Sequence, residues 1–335
     1  MIWGVLQKGH RYVVHGAPGA DGSVMNHLDK NVTLAYLNRL NNISELTGIP
    51  LKDLIRALFC DSIELAGSNW TDDFSEEFKK RCGYDLEPYL PFIFYPPRMG
   101  YSDLDHDKYI DHDFREDVRR VRYDFNHTLV DIFLERFVQT CQDFCSDNDI
   151  MFRYQAYGSP WLVGISEGYL IPDIPESNNW IYSLHPWEMD YFTWSKEHGF
   201  MIWNKFAAAG GHLAGRKIIS CEAMTNTKGV FATSLETIKQ ADDMNFISGI
   251  NHSVLHGFNY SPPAAGFPGW VRYGTYFSEQ NTWWPYLRLW TDYNSRLSAV
   301  FQNSTPVIGI AVLAPFADSW SDRGLLRVPF QTTPW

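Results

Sequence analysis

Lys217-Ile218-Ile219-Ser220-Cys221-Glu222, then Thr233-Ser234 opening an amphipathic run over 235–246, then Ile250-Asn251-His252-Ser253-Val254-Leu255-His256-Gly257-Phe258, is the stretch that decides the fold. The first run is short and apolar, as a strand covered on both faces must be. Thr233-Ser234 supplies the hydroxyl that caps a helix N-terminus. The third run returns to strand character. Strand, helix and strand without a hairpin turn between them predict parallel pairing.

Working outward, the same alternation recurs. Leu54-Ile55-Arg56-Ala57-Leu58-Phe59-Cys60-Asp61-Ser62-Ile63 reads as a strand. A helix follows, entered at Thr71-Asp72-Asp73 and stopped at Gly83. Val118, Val121, Phe125, Leu129, Ile132 and Phe133 keep the helical beat through a helix over about 113–146. A strand near 150–157 leads into a Gly- and Pro-rich loop over 158–185, and a helix near 187–209 completes the unit before Lys217. Beyond Phe258, a loop to 283, a helix near 284–302 and a strand at Val307-Ile308-Gly309-Ile310-Ala311-Val312-Leu313 close the chain. Loops after strands are long and those before strands short, the asymmetry of a barrel with its chemistry on the C-terminal face. The expected fold is an α/β (β/α)8 TIM-type barrel, incomplete at its N-terminus. Residues 1–304 form the partial catalytic barrel, and 305–335 are either its end or the start of a following β domain. A doubly wound nucleotide fold is disfavoured, because Gly16-Ala17-Pro18-Gly19-Ala20-Asp21-Gly22 lacks the dinucleotide-loop spacing.

Composition narrows the partners. A net charge of −11 argues against nucleic acid or an anionic membrane. No apolar run is long enough to span a bilayer. The opening Met1-Ile2-Trp3-Gly4-Val5-Leu6 is too short for a signal sequence and reads as an interior strand, so both ends look cut. Aromatics reach 16% with 13 Trp, suiting either barrel packing or the apolar faces of sugars. Five cysteines, an odd number with no C-x-x-C pair, argue against a complete disulfide framework.

Three carboxylates share one context. Glu222 ends the Ile218-Ile219 strand, Glu64 follows Asp61-Ser62-Ile63, and Glu176 lies in the loop after the 150–157 strand. Glycosidic cleavage needs one carboxyl held protonated and one ionised. His256, at a strand end, is placed to bond a sugar hydroxyl, with a satisfied core histidine as the competing reading. Asp103-Leu104-Asp105-His106-Asp107 starts like a cation loop, yet Lys108 stands where an EF-hand needs Gly, so it reads as an acidic approach to the long helix. H-E-x-x-H and phosphate loops are missing from the sequence.

Several segments together resemble the bacterial α-L-rhamnosidases of glycoside hydrolase family 106. They are Asp61-Ser62-Ile63-Glu64 through Asn69-Trp70-Thr71, Glu76-Glu77-Phe78-Lys79-Lys80-Arg81, Gly83-Tyr84-Asp85, Pro88-Tyr89-Leu90-Pro91, Cys221-Glu222-Ala223, Gly249-Ile250-Asn251 through His256, and Gly274-Thr275-Tyr276-Phe277 through Asn281-Thr282-Trp283-Trp284. The resemblance implies a barrel domain within a larger, exported protein, acting on terminal α-L-rhamnose with inversion. It makes Glu64 and Glu222 the acid/base pair, and Glu176 a further active-site carboxylate. It also implies a calcium ion, with Asp61, Glu64 and Glu176 as candidate ligands. The expected substrate-facing set is Glu176, Asn69, Trp70, His256, Trp283 and Trp284, with Trp161, Trp180 and Trp270 adding to an apolar patch for the sugar methyl. A galactosidase on the same barrel, or a non-catalytic carbohydrate-binding fragment, are the competing readings. Members usually carry further strands before the region matching Gly9-His10-Arg11, and Gly158 through Pro172 diverges from the family pattern.

Overall fold

The computed structural model describes residues 13, 19–65, 68–93, 111–159, 165–182, 199–226, 229–258, 260–270, 274–313 and 320–321. The strands are β1 (Ala57–Cys60), β2 (Ile63–Glu64), β3 (Met151–Tyr154), β4 (Gly158–Ser159), β5 (Ile174–Tyr182), β6 (Ser220–Asn226) and β7 (His252–Leu255). β1, β3, β5, β6 and β7 lie side by side in that order, every pair parallel, in one sheet curled into a half-barrel. β2 pairs with β4, carrying the β1–β3 edge further toward the C-terminal ends. Parallel neighbours require crossovers, and helices supply them. His112–Phe133 and Gln139–Asp147, joined by a π-helical turn over Leu134–Val138, separate β1 from β3. Gly199–Leu213 lies between β5 and β6, Leu235–Ser248 between β6 and β7, and Leu287–Gln302 follows β7.

Alternation along the strands sorts side chains between two faces. Phe152, Tyr154, Ile219 and Cys221 are buried toward the helices, joining Phe125, Leu129, Ile132 and Phe144 in the core. The Gly199–Leu213 helix approaches closely because Gly211 has no Cβ; one there would meet the Ile219 side chain at 2.8 Å. The opposite, concave face carries Phe59, Arg153, Gln155, Glu176, Ser220, Glu222 and His252. It is therefore the polar face.

Several expectations need correction. The 158–185 loop contains β5, a central strand, so Glu176 stands on a strand. Pro175 lacks a donor and Ser177-Asn178-Asn179 are polar, so neither alternation nor an apolar run marks the segment. Val307–Leu313 is not a strand: it makes no ladder, and Val307 and Leu313 are 101% and 97% exposed. Its β-branched composition fits a strand only with a partner, and no described residue provides one. The Leu54–Ile63 run is divided, with a short helix Leu51–Leu54 before β1 and a break at Asp61-Ser62 before β2. The helix Lys30–Thr47, capped by Asp29 and ended at Gly48, was not foreseen. Only Thr33 and Leu37 are buried while Tyr36, Ile43 and Leu46 are exposed, so apolar residues surround the helix and leave little periodic signal.

Other expectations held. The long helix buries the six residues that set its beat, and Ser234 caps Leu235–Ser248 by accepting from Thr237 N at 3.1 Å. All five cysteines are free thiols. No helix among the described residues is long and apolar enough to cross a membrane. Met1–Leu6, Asp103–Ile110 and Trp161 lie outside the described residues.

Candidate active site at the strand ends

The concave face gathers its charged groups where β3, β5, β6 and β7 end. Register sets their depth: Glu176 on β5 is level with Ser220 on β6, whereas Glu222 is level with Asn178. Glu176 thus sits one inward-facing step deeper than Glu222. Its side chain is fully enclosed, while that of Glu222 is 21% exposed.

Enclosure without partners would be costly for a carboxylate. Glu176 Oε2 accepts from Ser220 Oγ at 2.6 Å, and Oε1 from Gln155 Nε2 at 3.1 Å. Arg153 Nε lies 3.1 Å from Oε2, but its N–H is not aimed at any acceptor, so this contact is Coulombic rather than a hydrogen bond. The Arg153 guanidinium rests on the Phe59 ring, 4.0 Å from its centroid. Desolvation nonetheless dominates and raises the Glu176 carboxyl to about 7, against the pull of Arg153, Ser220 and Gln155.

Glu222 titrates in the opposite direction. Burial opposes its ionisation, but contacts from His256 and Gln155 outweigh that cost and hold it below the ordinary carboxylate value. His256 Nδ1 is 3.1 Å from Oε1, and Gln155 Nε2 donates to Oε2 at 2.8 Å. Thr225 Oγ1 also lies 2.9 Å from His256 Nδ1. A carboxylate acceptor selects the tautomer with its proton on Nδ1. The ring is fixed by its backbone: His256 N donates to Ala223 O at 2.8 Å, and its carbonyl accepts from Thr275 N at 2.9 Å.

The Asp61-Ser62-Ile63-Glu64 segment brings two more carboxyls to this end of the sheet. Asp61 accepts from the Ser62 amide at 2.7 Å, and Glu64 Oε1 from Ser62 Oγ at 3.2 Å. Both residues are exposed. Desolvation by the surrounding strand ends, then the charge of Glu222, raises the Asp61 carboxyl even though part of its surface meets solvent.

The structure separates the expected substrate-facing residues. Asp61 lies within electrostatic reach of Glu222, His256 and Glu64, and all four are at least partly open to solvent. Glu176 lies beneath them with no surface of its own. Trp70 is 9% exposed and packs on Phe74 at 4.8 Å, so it belongs to the core. Asn69 is half-buried beside it. Trp283 donates its indole N–H to Thr233 O at 2.8 Å and packs edge-on against Phe277; Trp284 packs against the core. Trp180 is half-buried and Trp270 exposed. Sequence reasoning missed Arg153, Gln155 and Tyr157. Their alternation along and just beyond β3 places them on one face, a signal that needs the neighbouring strands to be interpreted.

Among the described residues, no group of three or more His, Cys, Asp or Glu side chains is arranged to hold a metal ion. Glu176 fits such a role poorly, because both oxygens already accept hydrogen bonds and a guanidinium adjoins them.

These features define an α/β protein with carboxylates gathered at the C-terminal ends of parallel strands. The family model of the α-L-rhamnosidases, glycoside hydrolase family 106, matches residues 14–317, and the chain belongs to that family. A solved rhamnosidase from Novosphingobium sp. PP1Y is similar in fold, with a TM-score of 0.68 and 24% identity over 95% of this chain. The present chain spans 29% of that protein. A search of curated proteins finds no match.

Proposed function

We propose that this chain forms the catalytic barrel of a glycoside hydrolase that removes terminal α-L-rhamnose by inverting displacement. The observation that carries the reading is Glu222, ionised through His256 and Gln155 and partly open to solvent, in a family of α-L-rhamnosidases. An ionised carboxylate there acts as the base that takes a proton from the attacking water. Glu64, across the strand ends, serves as the acid that protonates the departing oxygen. Asp61 is the second reading for that acid, favoured by its raised carboxyl. An acid must still hold its proton when the base has lost its own.

In this proposal the half-barrel is part of a (β/α)8 barrel within residues 1–304, inside a longer exported protein. Gln302 at the end of the Leu287–Gln302 helix donates to Asn251 O at 2.9 Å, tying that helix to the chain just before β7, the open edge of the sheet. No step of the reaction is routed through calcium.

Hydrolysis is tested by incubating the full chain with a panel of chromogenic α-L-rhamnosides and galactosides, with the anomer of the released sugar read by NMR. Rhamnose released as the inverted anomer is the expected result. Preference for galactosides would replace the sugar, and binding without turnover would favour the non-catalytic reading. Glu222→Gln and Glu64→Gln should each lower kcat by a factor on the order of a thousand or more with folding unchanged. Should Asp61→Asn lose the rate while Glu64→Gln keeps it, the acid is Asp61.

A further inference from the structure

Gln155 stands between the two strand glutamates. One Nε2 group donates both to Glu222 Oε2 at 2.8 Å and to Glu176 Oε1 at 3.1 Å, which uses its two hydrogens. Tyr157 donates its hydroxyl to Gln155 Oε1 at 2.6 Å. That third contact fixes the amide: reversed, its carbonyl oxygen would face two carboxyls and leave Glu222 Oε2 and Glu176 Oε1 without the donor they have here. Gln155 is fully buried and Tyr157 nearly so. The arrangement is thus a chain from Tyr157 through Gln155 to the paired acids, with no free rotor in it.

We propose that Gln155, oriented by Tyr157, is the positioning residue of the site, clamping Glu222 in the ionised, water-activating orientation and tying it to the buried Glu176. The inference rests on the role given to Glu222 above. A carboxylate with a 21% exposed side chain has room to rotate, and rotation would carry its reactive oxygen out of line. His256 holds Oε1 from the β7 side and Gln155 holds Oε2 from the β3 side, so the plane of the carboxylate is set from both directions. The charged and titratable groups facing it are His256 from β7, Asp61 after β1, Arg153 on β3 and Glu176 on β5. Gln155 is the neutral group among them that stabilises the carboxylate form by donation alone. Burial keeps the Tyr157 phenol protonated, so it stays a donor throughout the working range.

The experiment compares the full chain with Gln155→Leu and Tyr157→Phe. Two readouts are taken: the pH dependence of kcat/KM on a chromogenic α-L-rhamnoside, and the Glu222 carboxyl titration by 13C NMR. Removing a hydrogen bond to a charged group should lower kcat/KM by about tenfold to a hundredfold in Gln155→Leu, mostly in kcat. The Glu222 titration and the acid limb of the profile should both move to higher pH, because a donor that favours the anion is gone. Tyr157→Phe keeps the buried ring and therefore the fold, and should move both in the same direction by less. A rate loss with the Glu222 titration unmoved in both variants would overturn the proposal and leave Gln155 a packing residue. If the wild-type chain shows no turnover but its Glu222 titration still moves upward in the variants, the clamp stands and the hydrolase reading fails.

Discussion

Glu176→Gln should make the protein gain stability relative to wild type as pH rises, by about 3 kcal/mol across the titration window. The carboxyl has an ordinary value of 4.5 and is raised to about 7 by enclosure in the folded chain. Each tenfold change in proton affinity is worth about 1.4 kcal/mol, so the interval corresponds to about 3 kcal/mol. Below 4.5 both folded and unfolded chains hold the proton; between 4.5 and about 7 only the folded chain does. Stability contributed by the neutral form is therefore complete at low pH and lost as pH climbs through the folded value. A glutamine of the same shape never ionises, so the variant escapes that loss. The attraction of Arg153 for the Glu176 anion acts only once that carboxyl ionises, and it is already contained in the folded value of about 7. Urea unfolding of both proteins at about pH 5, 6, 7 and 8 measures the effect together with the response of the coupled Glu222. A difference constant to within about 0.5 kcal/mol across that range would refute the reasoning, because it would mean Arg153 and the two hydrogen bonds keep Glu176 ionised throughout.

Replacing His256 by Leu removes the strongest of the contacts favouring the Glu222 anion, so the acid limb of kcat/KM should move to higher pH; an unmoved limb would take His256 out of the site. Ser234→Ala deletes the side chain that accepts from Thr237 N and should cost about 1 kcal/mol in thermal or urea unfolding, with activity retained. Gly249→Ala places a Cβ 2.7 Å from Ala208 Cβ at a backbone φ of 100°. Strain and overpacking together should cost about 1–3 kcal/mol, and a melting temperature equal to wild type would contradict both.

The parallel half-barrel was legible where strand chemistry is apolar. Ile219 and Cys221 are fully buried as their run implies, and Ser234 and Gly249 bracket their helix by capping rules that act locally. β5 was not legible, because it solves its burial problem with polar groups. Asn179 Oδ1 accepts from Met224 N at 2.6 Å, at a point where Met224 takes φ 74° and the β5–β6 register shifts. Its Nδ2 donates to Asn245 Oδ1 at 2.7 Å, and Ser177 bonds Asn204 on the other crossover helix. These amides replace ladder bonds that the irregular register leaves unmade. A strand stabilised that way carries the composition of a loop. The same disguise hid Gln155, whose partners are 21 and 67 residues away in sequence.

Placing Glu176 on a strand changes what the two glutamates can do. They belong to adjacent strands and share a donor, yet a two-residue register offset puts one beneath the other. Depth alone would raise both carboxyls. Glu222 escapes because its shallower position meets His256, which closes the β7 end, whereas Glu176 meets an arginine whose Nε–H is misaimed and a serine that compensates only partly. Two carboxylates sharing one amide also repel, and that charge term adds to the rise at Glu176. If the deeper residue takes a proton near neutrality, the shallower one loses a like-charged neighbour and is further favoured as an anion. The pair titrates as a unit, with the proton assigned to the enclosed member and the charge to the one a sugar can reach. Exchanging their roles would require moving His256 or shifting the β5–β6 register by two residues.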